Sequence, residues 1–91
     1  MDLAEYSDEE LLEAGREAVK REQWPRAKEF LGAYTDRHTA RGEATPASGL
    51  ASYALCLAHA RELKRGLDLA RKAQHADPRN AHIYWCMAQI H

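Results

Sequence analysis

Four side chains in this 91-residue chain have the chemistry of metal ligands: Cys56 with His59 at i,i+3 and His82 with Cys86 at i,i+4. On a helix each pair would share one face, and two thiolates with two imidazoles are a donor set for tetrahedral zinc. If the two helices lie side by side and roughly parallel, the first pair falls near the end of its helix and the second near the start of its own. At the rise of an α-helix that offset is on the order of 10 Å, too far for one ion to bridge. The four therefore read as core thiols beside partly exposed histidines, and no metal or other cofactor is expected. Nucleophilic catalysis needs a serine or cysteine beside a base that a third group orients, and neither Ser52 nor Cys86 has such neighbours along the chain. The five glycines are scattered and form no phosphate-cradling loop. Glu9, Glu10 and Glu13 fit a solvated, dipole-favoured first helical turn better than an acid/base pair. No catalytic residue is expected.

Composition narrows the function classes further. The 13 basic and 14 acidic residues interleave to a formal net charge of −1, which leaves no cationic tract for a phosphate backbone, so nucleic acid is not an expected partner. The two cysteines sit in apolar helical patterns, as reduced core thiols of a cytoplasmic protein do. The amino terminus is acidic and lacks the basic and apolar regions of a secretion signal. No apolar run reaches the roughly 18 residues of a membrane span. A hydrophobic fraction of 45% with 30% charged residues predicts a folded single domain.

The elements that would position these residues are all helical. Ser7 with Glu10 is a capping-box pattern that starts a first helix, running to about Arg21 with Leu11, Leu12, Ala14, Gly15, Ala18 and Val19 at helical spacing. Gln23 and Trp24 form a turn, and Pro25 opens a second helix carrying Ala27, Phe30, Leu31 and Tyr34, which fades into residues 39–45, where Gly42 can end it. Thr45-Pro46 starts a third with Leu50, Tyr53, Ala54, Leu57 and Ala58. A charged turn around Glu62 to Lys64 precedes a fourth with Leu67, Leu69, Ala70, Ala73 and Ala76, which stops before Pro78. Asn80 caps a fifth, Ala81 to His91, that is apolar nearly all round and so calls for neighbours on both sides.

The helices repeat. Leu11 to Leu50, Gly15 to Ala54, Ala27 to Gly66, Leu31 to Ala70 and Tyr34 to Ala73 are each 39 apart, and Leu50 to Tyr84, Tyr53 to Met87 and Ala54 to Ala88 are each 34 apart. Gly15, Ala54 and Ala88 on first helices, with Ala27 and Gly66 on second ones, are the small residues that close helix crossings need. With Leu50, Tyr53-Ala54, Leu57, Gly66, Ala70, Ala73 and Asp77-Pro78-Arg79-Asn80, the second copy resembles the tetratricopeptide repeat, a 34-residue antiparallel helix pair. The likeness covers about residues 8 to 91: repeat 1 over about 8–45, repeat 2 over about 46–80, and the first helix of a third over 81–91. It departs at Ala70, usually bulky, at Thr39 in place of the closing proline, and in the longer inter-repeat loop. The resemblance implies an all-α superhelix of antiparallel pairs. With only one helix of the third copy, the chain is expected to be a fragment of a longer array or to have that helix covered by another subunit.

The resemblance also implies a function: first helices line a groove that holds a peptide or helix of a partner protein. By position that groove takes Leu12, Arg16 and Lys20 from the first copy, Ala51, Ser52, Leu55 and His59 from the second, and His82, Trp85, Cys86 and Gln89 from the third. A packing or plain surface role is the competing reading for each. Trp24 reads as a helix-pair packing residue. Trp85 cannot share the direction of Tyr84, so a core-facing Tyr84 would turn Trp85 to the groove or to a neighbour. The clamp for chaperone tails used by one subset of the family would fall on Leu12, Arg16, Ser52, His82 and Cys86, four of which lack the needed chemistry. Leu55 and Trp85 beside Arg16 and Lys20 suit a partner segment with apolar anchors and some acidic character. The alternative is self-association through the apolar last helix.

Overall fold

Ser7 Oγ accepts from the Glu10 amide at 3.1 Å and the Glu10 carboxylate accepts from the Ser7 amide at 2.9 Å, so the capping box closes. In the computed structural model, which describes residues 3–90, it opens α1 (Asp8–Lys20), after a short 3-10 turn at Leu3–Glu5. There follow α2 (Trp24–Ala40), α3 (Ala47–His59), α4 (Leu63–Ala76) and α5 (Ala81–Ile90). The described residues are all-helical, with five α-helices and no strand among them. No helix among them is long and apolar enough to cross a membrane. His91, the last residue of the expected fifth helix, lies outside the described residues.

The helix ends differ slightly from expectation, each for a local reason. Trp24 is the first residue of α2, with Pro25 in its first turn, because proline needs no amide there and tolerates a helical residue only briefly before it. Leu63 and Lys64 likewise belong to α4, leaving only residues 60–62 as the turn. At α5, Asn80 Oδ1 accepts from the His82 amide at 2.9 Å, the expected cap.

Helix starts keep the period read from the residues. α1 and α3 begin 39 residues apart, as do α2 and α4, and α5 begins 34 after α3. The turns inside the two helix pairs repeat as well. After α1, Glu22 adopts φ 56° and the amides of Glu22 and Gln23 fold back to the carbonyls of Val19 and Ala18. After α3, Arg61 adopts φ 67° and the amides of Arg61 and Glu62 fold back to Ala58 and Leu57. This is the Schellman ending, a left-handed residue that satisfies the last carbonyls, here built without glycine. Lys28 of α2 then meets Glu62, in the turn after α3, at 2.6 Å, tying the two pairs together.

α3 is the centre of the packing. It touches α1, α2, α4 and α5, and nine of its 13 residues, Gly49 through Leu57, are buried, which leaves little of it to face solvent. Around it gather Ala18, Val19, Ala27, Leu31, Ala73, Ile83 and Cys86. A smaller cluster of Leu11, Phe30 and Tyr34 packs Leu3 and Tyr6 beneath it. Arg37 fastens that end, donating to the carbonyls of Leu3 and Tyr6 and to Asp8, which Arg41 also holds at 2.6 Å. Close crossings fall at the expected glycines: Gly15 lies under Leu31 and Gly66 under the α3 backbone. Ala88 differs, because it is exposed. α5 buries Ile83 and Cys86 but leaves Tyr84 47% and Trp85 49% exposed, so Tyr84 does not face the core; its hydroxyl donates to the Pro78 carbonyl at 2.6 Å.

Candidate functional site

On α1, Arg16, Val19 and Lys20 recur at i, i+3 and i+4 and so share one helix face. Opposite them stand Ser52 and His59 of α3 and His82, Trp85 and Gln89 of α5, with Glu22 and Trp24 at one end; together they enclose a concave pocket of about 540 Å³. That volume lies within the roughly 300–1,000 Å³ range of ligand clefts.

Seven of the eleven residues placed in the groove by the sequence line this pocket: Arg16, Lys20, Ser52, His59, His82, Trp85 and Gln89. The other four do not. Ala51, Leu55 and Cys86 are 0% exposed, because α3 is covered by four helices and Cys86 faces it, so none of the three reaches a partner's surface. Leu12 packs partly buried between the two core clusters. Val19, Glu22 and Trp24 complete the lining without having been anticipated.

Aromatic rings form two walls. Trp24 stacks on His59 with centroids 3.8 Å apart and planes 5° from parallel, and Trp85 lies nearly parallel to His82 at 6.1 Å. Trp24 packs on the core as well, so its packing role and its place in the wall coexist. Arg16 and Lys20 form no ion pair among the described residues, whereas Arg21, Lys28, Arg37, Arg41 and Arg65 each do. The pocket thus holds two unneutralised cations against the single carboxylate of Glu22.

At the floor, Ser52 Oγ lies 2.8 Å from Nε2 of His82, and Cys86 Sγ lies 3.6 Å from the same nitrogen. Burial, with the charge of Arg16 adding to it, holds the His82 imidazole below its ordinary pKa. Burial pushes the Cys86 thiol up to about 11, against the Ser52 hydrogen bond and Arg16, which pull the other way. A serine beside an imidazole is half of a nucleophile and base pair. Here Ser52 is 1% exposed in mid-helix, where the amides are engaged in helical bonds, and His82 meets no carboxylate among the described residues. The pair lacks both the orienting acid and the free amide donors of acyl transfer; what it does is satisfy a buried hydroxyl.

His59 and Cys56 do not extend this floor into a ligand set. Cys56 is fully buried, with its thiol pushed up by burial to about 12, while His59 turns out to Trp24. Among the described residues no three His, Cys, Asp or Glu side chains are grouped to hold a metal ion. Comparison of the chain with protein-family models, curated proteins and solved structures finds no match.

Proposed function

We propose that this chain is a non-enzymatic protein-interaction module of tetratricopeptide type, in which the pocket between α1, α3 and α5 receives a segment of a partner protein. The observation that carries the reading is the pocket itself. It is walled by the only two tryptophans of the chain, one of them half exposed, and large aromatic groups at a concave surface are the usual anchors of protein binding. The repeat reading draws support from helix starts 39, 39 and 34 residues apart and from the paired left-handed turns at Glu22 and Arg61.

A photo-crosslinking residue in place of Trp85, in cells that make the chain, tests this. The expected result is a discrete crosslinked protein that is absent when the same residue replaces Lys72, exposed on α4 away from the pocket, and whose capture Trp24→Ala abolishes. Identical crosslinks from both positions would refute the reading. Self-association through α5 is the second reading, favoured by the exposure of Tyr84 and Trp85 on that one apolar helix. Light scattering over a dilution series separates the two.

A further inference from the structure

We propose that the pocket selects a partner segment bearing an internal carboxylate side chain next to an aromatic or branched aliphatic one, the carboxylate seated against Arg16 and Lys20 and the apolar group between Trp24 and Trp85. This rests on the interaction reading above and specifies the chemistry of the occupant.

Charge complementarity carries it. Of the chain's eleven other cations, five have an acid within ion-pair distance among the described residues and six, on the open surface, have none; Arg16 and Lys20 are the two that line the concave site, and there they have none. Their only acidic companion in the lining is Glu22. A cationic ligand would meet Arg16 and Lys20, and a wholly apolar one would bury them without a partner, which is unfavourable for a charge. A carboxylate meets neither penalty and accepts charge-assisted hydrogen bonds from the guanidinium. The aromatic walls supply the remaining half of the recognition. Trp24 is braced by its stack on His59, so its indole presents a face whose orientation is already set, while the half-exposed Trp85 lies nearly parallel to His82.

A carboxylate seated there also acts on His82. His82 shares the pocket with Arg16 and Lys20 from α1, with Glu22 from the following turn, with the Ser52 hydroxyl and His59 from α3, and with the Trp85 ring from its own helix, and it also contacts the buried Cys86 thiol. Burial is the main cause that disfavours its imidazolium, and the charge of Arg16 adds to it. A carboxylate brought against Arg16 offsets the second of these effects and adds an attraction for the imidazolium.

Because both tryptophans line the site, their emission reports occupancy directly. The probe is a bead library of N-acetylated octapeptides attached through their carboxyl ends and made without tryptophan, screened against the full chain, with selected sequences resynthesised as amides. The expected selection places Asp or Glu beside Phe, Tyr, Leu or Ile. Those peptides shift tryptophan emission, and their affinity falls about tenfold, or about 1.4 kcal/mol, in Arg16→Gln or on Glu→Gln in the peptide. Arg16 and Lys20 are exposed, and unchanged melting of Arg16→Gln and Lys20→Gln confirms that folding is not at issue. Peptides that shift the emission but carry no acid, or that bind Arg16→Gln as tightly, overturn this inference and leave the groove reading standing. A library that yields no peptide able to shift the emission overturns both. An emission shift on dilution without peptide would seat a second copy there and overturn the inference as well.

Discussion

Replacing Gly66 by alanine sets two opposite effects against each other at one atom. Alanine is the better helix former by about 1 kcal/mol, but a methyl at Gly66 would lie 2.7 Å from the Ala54 carbonyl oxygen and 3.3 Å from the Ala58 nitrogen. Both are α3 backbone atoms, so no rotamer change relieves the contact and α4 must lift from α3. Overpacking of this kind costs about 1–3 kcal/mol, and the crossing buries Ala54, Ala70 and Ala73 completely, so the upper part of that range applies. The net expectation is a loss of about 1–2 kcal/mol for Gly66→Ala, or a fall in Tm of roughly 4–16 °C in a domain of this size. Gly32 is the control, since a methyl there comes no nearer than 3.5 Å to the Tyr53 ring. With no clash, Gly32→Ala keeps a gain of about 0.4–1 kcal/mol. Gly15→Ala falls between the two, because its methyl meets the Leu31 side chain at 2.5 Å, where a fully buried but movable group can give. Urea unfolding followed by circular dichroism, with m-values compared across the series, reads all three. A Gly66→Ala protein as stable as the parent, or more stable than Gly32→Ala, would refute the close crossing of α3 and α4.

The left-handed Arg61 predicts that Arg61→Gly stabilises the chain by about 1 kcal/mol, since glycine carries no Cβ penalty there; a lower urea midpoint would contradict this. Stability should decline as pH falls below the ordinary histidine value of 6.5, because His82 is held below it in the folded chain and the unfolded imidazole takes up its proton first. His82→Gln should flatten that segment of the profile, and an unaltered slope would count against a desolvated His82. Asp8, Glu10 and Glu62 are held below their ordinary values of 3.8 and 4.5, chiefly by hydrogen bonds from Arg41, from the Ser7 amide and from Lys28. Their contribution is present above those values and is lost as pH falls through the lowered ones, a second, more acid limb. Buried thiols raised to about 12 at Cys56 and about 11 at Cys86 should react with an aromatic disulfide reagent only as fast as the chain opens. Rapid stoichiometric reaction of the native protein would show that one of them is accessible.

Local signals made the helices legible. The capping box at Ser7, the prolines at 25, 46 and 78, and the Asn80 cap act within a turn or two of the backbone, so their outcome depends little on distant neighbours. Residues 60–62 form the turn between α3 and α4 because the Schellman hydrogen bonds from Arg61 and Glu62 close α3 and free Leu63 to begin the next helix. No glycine marks that position, nor the equivalent one at Glu22, and a left-handed arginine or glutamate has no compositional signature. Tyr84 shows the opposite failure. Its apolar neighbours along α5 suggested burial, but α5 packs on α3 and α4 through Ile83 and Cys86, and a helix that buries one stripe exposes the next.

The pocket was legible only in part because a repeat equates backbone positions and not environments. Leu12, Ala51 and Trp85 are equivalent by the 39- and 34-residue offsets, yet they are partly buried, fully buried and half exposed. The difference lies in what covers each: α3 is enclosed by four helices and has few side chains left for a partner. On the proposed reading, recognition therefore falls to the flanking elements, to Arg16 and Lys20 on one side and Trp85 and Gln89 on the other. The second tryptophan comes from the head of α2, which a rule reserving the groove for first helices excludes. Trp24 gets there as the first residue of α2, ahead of Pro25, with its indole lying flat on His59. The Ser52 and His82 contact, 30 residues apart in the chain, exists only because α5 lies against α3. A side chain's availability to a ligand is thus set by the helix that follows it in space, and the residues most able to bind are those at the ends and edges where that cover stops.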